Sequence, residues 1–261
     1  MPRFSSITEI STGLFTLWNN DFSRSLSITG INYNLNKKEL IMLDSLQKWF
    51  KDYLTQKDFK KRLIIMNIGV FFMGFFLSFL IKVNLGTDPC TFMNLTISRF
   101  LGISFGNWQL LLNSVLFIIV ILFGRKFIGF GTIANMVFIG YIADFFCWLW
   151  EKTIPEHYFT DMPSRAVIFA LALFFFIISV SFYINANMGV SPYDAMPQIL
   201  SERVLKKVPF AVIRIAYDFL VIILGVLFGG IPNIGIVLMA LFLGPIITLV
   251  GKFLGKHVFK M

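Results

Sequence analysis

Charged side chains are scarce in this chain: Asp, Glu, Lys and Arg make up 14% of its 261 residues, against roughly 25% in a typical soluble domain. So little charge cannot shield an amino-acid content that is 57% hydrophobic, and a soluble globular class is excluded. Cysteine and histidine are nearly absent as well. Cys90 and Cys147 are the two cysteines, and Cys147 lies inside an apolar run, so neither a disulfide framework nor a zinc site is indicated. His157 and His257 stand alone and far apart, which suits solvated side chains better than ligands. There is no Ser/His/Asp set, no zinc-ligand spacing and no phosphate loop, so an enzyme is not expected, nor any metal or cofactor. Residues 1–36 have no apolar core of the signal-peptide kind, so the first span is expected to act as an uncleaved insertion signal.

Long apolar runs are what the chain has in abundance, and mean hydropathy is +0.77. Six runs, at about 62–83, 108–124, 129–150, 165–184, 209–229 and 233–250, reach or approach the ~20 residues needed to cross a bilayer core. The formal charge of +9 is not a nucleic-acid footprint, because most basic residues flank these runs. The lipid bilayer is the expected partner, and nucleic acid is not.

Ahead of the first run, Asn36 and Glu39 have the spacing of a capping box, and Leu43, Leu46, Phe50 and Tyr53 recur at helical spacing. An amphipathic helix is predicted there, ending near Lys61, either on the anionic inner leaflet or packed on the protein's own inner face. The organisation expected is a cytoplasmic segment 1–61, membrane repeats at 62–150 and 165–250, and a cytoplasmic tail 251–261.

One short pattern occurs twice. Asn84, Gly86, Asp88 and Pro89 match Asn187, Gly189, Ser191 and Pro192, and Met93 and Met196 keep the 103-residue shift that separates Asn84 from Asn187. Gly131 and Gly140 correspond to Gly235 and Gly244 at a shift of 104. We read this as a duplication in which each half has a span broken at a glycine and restarted at a proline, the pattern of many transporters. Gly86 and Gly189 are expected to adopt the left-handed conformation that ends a helix. Asp88 and Ser191 then cap a new helix, with a proline at its first position. The segments so opened, 89–101 and 192–205, are too short and polar for ordinary spans and are predicted to be re-entrant or interfacial half-helices. Pro197 sits deep in the second one, so that helix is expected to kink or to start later.

With six crossings, twelve basic residues fall on the cytoplasmic side, including Lys57, Lys60, Lys61 and Arg62, and four (Lys82, Arg99, Lys152 and Arg165) on the outer side. Three spans per repeat is an odd number, which makes the repeats inverted and puts both termini in the cytoplasm. An eight-span alternative, with both short segments crossing, has an equally good charge count. The predicted fold class is therefore all-α, a polytopic helix bundle of about six transmembrane helices from two inverted repeats, each with a short broken helix.

Asn84, Gly86, Asp88, Pro89, Asn187, Gly189, Ser191, Pro192 and Asp194 are the candidate solute-binding residues, because helix starts offer unpaired N–H groups and partial positive charge. The alternative is that each turn simply opens a helix at the membrane surface. Asp194 also suits a plain capping role. Asp144, Arg214 and Asp218 are ionisable residues within spans and candidates for coupling. Arg214 and Asp218 are four apart on one helix face, so a structural ion pair is the simpler reading of them. Gly225 and Gly229 are expected to serve close helix packing.

The segments VNLGTDPCTFMN and ANMGVSPYDAMP, with GFGTIANMVFIG and NIGIVLMALFLG, make the chain resemble the YczE/YyaS/YitT group of bacterial integral membrane proteins over about residues 62–250. In that group an aromatic residue and then Asp are expected after the proline; Tyr193-Asp194 fits and Cys90-Thr91 departs. The resemblance implies a multispan plasma-membrane protein and supplies no substrate or binding residues. The function expected is a secondary transporter of a small polar solute. Two others stay open: a scaffold or regulator that docks a cytosolic or membrane protein partner through residues 37–61, and the substrate-binding subunit of a larger importer.

Overall fold

The computed structural model describes residues 58–259 together with Thr55, so the predicted N-terminal amphipathic helix lies outside the described residues. The order of elements is α1 (Phe59–Val83), α2 (Pro89–Leu101), α3 (Phe105–Phe123), a 3-10 turn (Arg125–Phe127), α4 (Phe130–Thr153), the single turn α5 (His157–Thr160), α6 (Met162–Asn185), α7 (Pro192–Arg203), α8 (Phe210–Leu227) and α9 (Ile234–Leu254). A π-helical turn, Gly255–Phe259, extends α9 through much of the predicted tail. Among the described residues there are six helices long and apolar enough to cross a membrane: α1, α3, α4, α6, α8 and α9. The short helices α2 and α7 have 13 and 12 residues, about 20 Å and 18 Å of rise, well under the ~30 Å of a hydrocarbon core.

Polarity is arranged for lipid. Large apolar side chains such as Ile118, Leu122, Phe174, Ile223 and Leu249 stand exposed along the spans, while Ser78, Asn94, Asn113, Thr132, Asn135, Ser181 and Asp218 are buried. Helix α1 packs along α6 and α4, and α3 also packs on α4. Between α1 and α4, Phe75, Phe79, Phe146 and Trp150 interlock, and the Trp150 indole donates to Ser78 Oγ at 2.9 Å. The short helices are exchanged between the halves of the chain: α2 lies against α8, and α7 lies against α3. Gly225 lets α8 approach the Phe92 ring of α2, whereas Gly229 belongs to the turn after α8 (φ 90°) and packs against nothing.

The two turns that interrupt the bundle correct one expectation. The residues in the left-handed region at the ends of α1 and α6 are asparagines: Asn84 has φ 48° and Asn187 φ 50°. Asn tolerates this region because its short amide offers local hydrogen bonds. Gly86 is close to extended (φ 158°), and Gly189 has φ 97°. What both glycines supply is closeness. A Cβ on Gly86 would lie 2.8 Å from the backbone of Gly235, and one on Gly189 would lie 2.5 Å from the amide nitrogen of Gly129. Each turn thus presses on the opening of the last long helix in the opposite half of the chain. The Gly131 N–H donates to the Met188 carbonyl at 2.7 Å, and Val190 N–H to Phe127 O at 3.0 Å. The Asn233 amide donates to Asn84 O at 3.2 Å.

Of the two expectations for helix α7, the later start is not what the structure has. The helix starts at Pro192, in register with Pro89 at the start of α2, and runs through Pro197 as one helix. Pro197 cannot donate to the Tyr193 carbonyl, so that helical bond is missing, yet burial of the proline ring holds the segment in place.

Candidate functional site

Each short helix opens beside the same internal space. Asp88 caps α2, accepting from Thr91 N–H at 3.0 Å and from Thr91 Oγ1 at 2.6 Å. Ser191 caps α7, accepting from Asp194 N–H at 3.0 Å, while its hydroxyl donates to Asp194 Oδ2 at 2.6 Å. Asp194 therefore does more than complete a cap: its other oxygen, Oδ1, takes Arg214 Nη1 at 2.7 Å. Arg214 Nε reaches Asp218 Oδ2 at 3.1 Å, and the Tyr193 hydroxyl donates to Asp218 Oδ1 at 2.8 Å. One guanidinium from α8 thus joins a carboxylate of α7 to a carboxylate of its own helix. The Arg214–Asp218 pair predicted from spacing is present, as part of a larger network. Each member is hydrogen-bonded, and Asp218, the buried one, has both of its oxygens satisfied.

These groups border a cavity of about 120 Å³, several times the space one water occupies. Asp88, Cys90, Thr91 and Asn94 line it from the first turn and α2; Ser191, Tyr193 and Asp194 line it from the second turn and α7. Arg214 and the amides Gln109, Asn113 and Asn135 complete the polar lining, and Met73, Leu77, Ile139, Phe176, Val180, Leu243 and Ile247 form an apolar wall. Asp218 stands behind Arg214 and Tyr193.

The other predicted residues have structural places. Asn84 and Asn187 end their helices and are exposed; Gly86 and Gly189 hold the close contacts described above; Pro89 and Pro192 are buried first residues of α2 and α7. Asp144 does not join the site: its Oδ2 accepts from Gly106 N–H at 2.8 Å, capping the start of α3 from the neighbouring α4. Asn94, Gln109, Asn113 and Asn135 were not singled out by sequence reasoning. The spacing of Gln109 and Asn113, one turn apart within an apolar run, is the signal that could have found them. The side-chain carbonyls of Asn94, Gln109 and Asn113 are buried without a hydrogen-bond partner. Among the described residues no group of three His, Cys, Asp or Glu side chains could hold a metal ion.

Six apolar helices with lipid-suited surfaces and a polar interior define an integral, multi-pass membrane protein. The chain belongs to a family of unknown function, DUF6198, whose model matches residues 60–252. It is similar to the uncharacterized membrane protein YczE of Bacillus subtilis (strain 168), 23% identical over 180 residues, covering 69% of this chain and 80% of the relative. It is also similar to the uncharacterized protein YyaS of the same organism, 23% identical over 191 residues, covering 73% and 92% respectively. No solved structure matches the chain.

Proposed function

We propose that this protein is a secondary transporter of the bacterial plasma membrane, built from two inverted repeats, with a small polar solute bound between the turns at 84–89 and 187–194. The observation that carries this reading is the shared cavity: two interrupted spans, far apart in sequence, open their short helices onto one cavity with a charged and amide-lined side and an apolar side. Two further features support it. The exchange of α2 and α7 between halves couples any movement of one half to the other. The flanks of the short helices also differ. A cleft of about 490 Å³ lies beside α2, bordered by Thr96, Arg99, Phe228 and Gly230. The corresponding side of α7 is filled, with Ile199 against Gly124 and Phe127 and a Lys126–Glu202 ion pair at 2.6 Å. A carrier that alternates between faces needs such an inequality in any one state. The distribution of basic residues supports an orientation with both termini in the cytoplasm.

The test is solute exchange in proteoliposomes with a metabolite panel, comparing the native chain with Asp194→Asn. Exchange of a solute that is lost in the variant while membrane insertion persists is the expected result. If no solute is exchanged, or if the variant exchanges normally, the cavity is not a transport site. Sidedness labelling of single cysteines checks the topology: a position near Lys126 should label from the cytoplasmic face and one near His157 from the outer face, and the reverse would mean that both short segments cross.

A further inference from the structure

We propose that the cavity selects a small organic cation, a primary ammonium group on a short hydrocarbon body. This rests on the solute-site reading above and goes further by naming the class of ligand.

Charge is the first reason. Asp88, Asp194 and Asp218 stand at or just behind the cavity wall with Arg214, so the charged side chains there carry two more negative than positive charges. Arg214 is already committed to Asp194 and Asp218. Asp88 is held by Thr91 alone, and no basic side chain among the described residues pairs with it. A carboxylate withdrawn from water either takes up a proton or is held as the anion by a compensating charge, so an incoming cation gains from this site, whereas an anion meets repulsion.

Hydrogen-bonding capacity is the second, and it is independent of charge. Asn94 is 1% and Asn113 3% exposed; both line the cavity, and the carbonyl oxygen of each is without a partner. Buried acceptors left open call for donors. An alkylammonium brings three N–H donors and no acceptor, which matches one carboxylate and two amide oxygens. The opposite wall is the third reason. Met73, Leu77, Phe176 and Val180 present hydrocarbon to the same space, which a bare potassium or sodium ion leaves unused and an alkyl chain covers. The volume suits a few non-hydrogen atoms and excludes a bulky solute.

The experiment is a thermal-shift titration of the purified full-length protein in lipid nanodiscs with ethylammonium chloride. Potassium chloride, sodium propionate and propanamide serve at matched ionic strength as the inorganic-cation, anion and neutral arms. A saturable stabilisation by ethylammonium alone is expected, weakened roughly tenfold or more in apparent affinity by Asp88→Asn and by Asn113→Ala. The second variant keeps the test decisive if the first does not fold. Equal stabilisation by potassium would overturn the organic-cation assignment in favour of an inorganic ion. Stabilisation by propionate or propanamide, lost in Asp194→Asn, would overturn the cation class while leaving the cavity a solute site. If ethylammonium does not stabilise the protein, the organic-cation assignment falls; if the proteoliposome panel also shows no exchange, the transport reading falls with it.

Discussion

At the first turn the residue that caps the new helix is a carboxylate, Asp88, satisfied within its own helix by Thr91; at the second it is a hydroxyl, Ser191, with the carboxylate moved to Asp194. The backbones of the two turns do the same thing. Each ends a long helix on a left-handed asparagine, passes a glycine against the start of a long helix in the opposite half, and begins a short helix at a proline. The side chains do not. Asp194 is tied to Arg214 and through it to Asp218 and Tyr193, whereas Asp88 faces the cavity with no cation. The closing contacts differ in the same sense: Lys126 and Glu202 bridge the flank of α7, while α2 borders a cleft. A shared backbone device constrains geometry, and what sits on it remains open to divergence. The second turn carries a paired carboxylate, and the first a carboxylate with no cationic partner among the described residues.

The largest expected effect that would sharpen this contrast is Arg214→Met. It leaves Asp194 and Asp218 facing each other uncompensated and should cost about 3–5 kcal/mol, read as a large drop in melting temperature in detergent. Asp88→Asn at the other turn should leave the melting temperature of the ligand-free protein nearly unchanged; an equal loss in both variants would erase the distinction. Next comes Gly189→Ala. A side chain there meets both a strained φ of 97° and the Gly129 backbone, and about 3 kcal/mol is expected. Gly86→Ala meets the Gly235 backbone from a nearly extended conformation and should cost about 2 kcal/mol. The reverse order would mean that conformational strain is not what separates the two turns.

A smaller effect, about 1 kcal/mol, is expected for Asp144→Ala, which removes the cap on α3. Solute exchange should survive it, in contrast to Asp194→Asn, and abolished exchange would bring Asp144 back as a coupling group. Smallest of all is Lys126→Gln. The ion pair is largely exposed, so stability should change by less than about 1 kcal/mol. Labelling of a cysteine placed at Ile199 should nonetheless quicken if that pair helps to hold the flank of α7 shut.

The hydrophobic runs, the two interruptions and the cap residues are local matters, set by side-chain transfer energy, proline's missing donor and the hydrogen-bonding reach of Asp and Ser. They were therefore legible along the chain, and six long helices with two short ones between them stand close to where they were expected. The pairing of Arg214 with Asp218 was readable for the same reason, since four residues make one helical turn. Packing settled everything that depends on partners distant in sequence. It put Asp194 on Arg214, took Asp144 out of the site by giving it the Gly106 amide, and set Asn94 and Asn113 in the wall of the cavity that the two turns share. It also gave the helix-ending role to Asn84 and Asn187 and left the glycines to make room for a neighbouring backbone. Close approach between segments as far apart in sequence as Gly86 and Gly235, or Gly129 and Gly189, has no local energetic signature, so no reading of one segment alone could have revealed it.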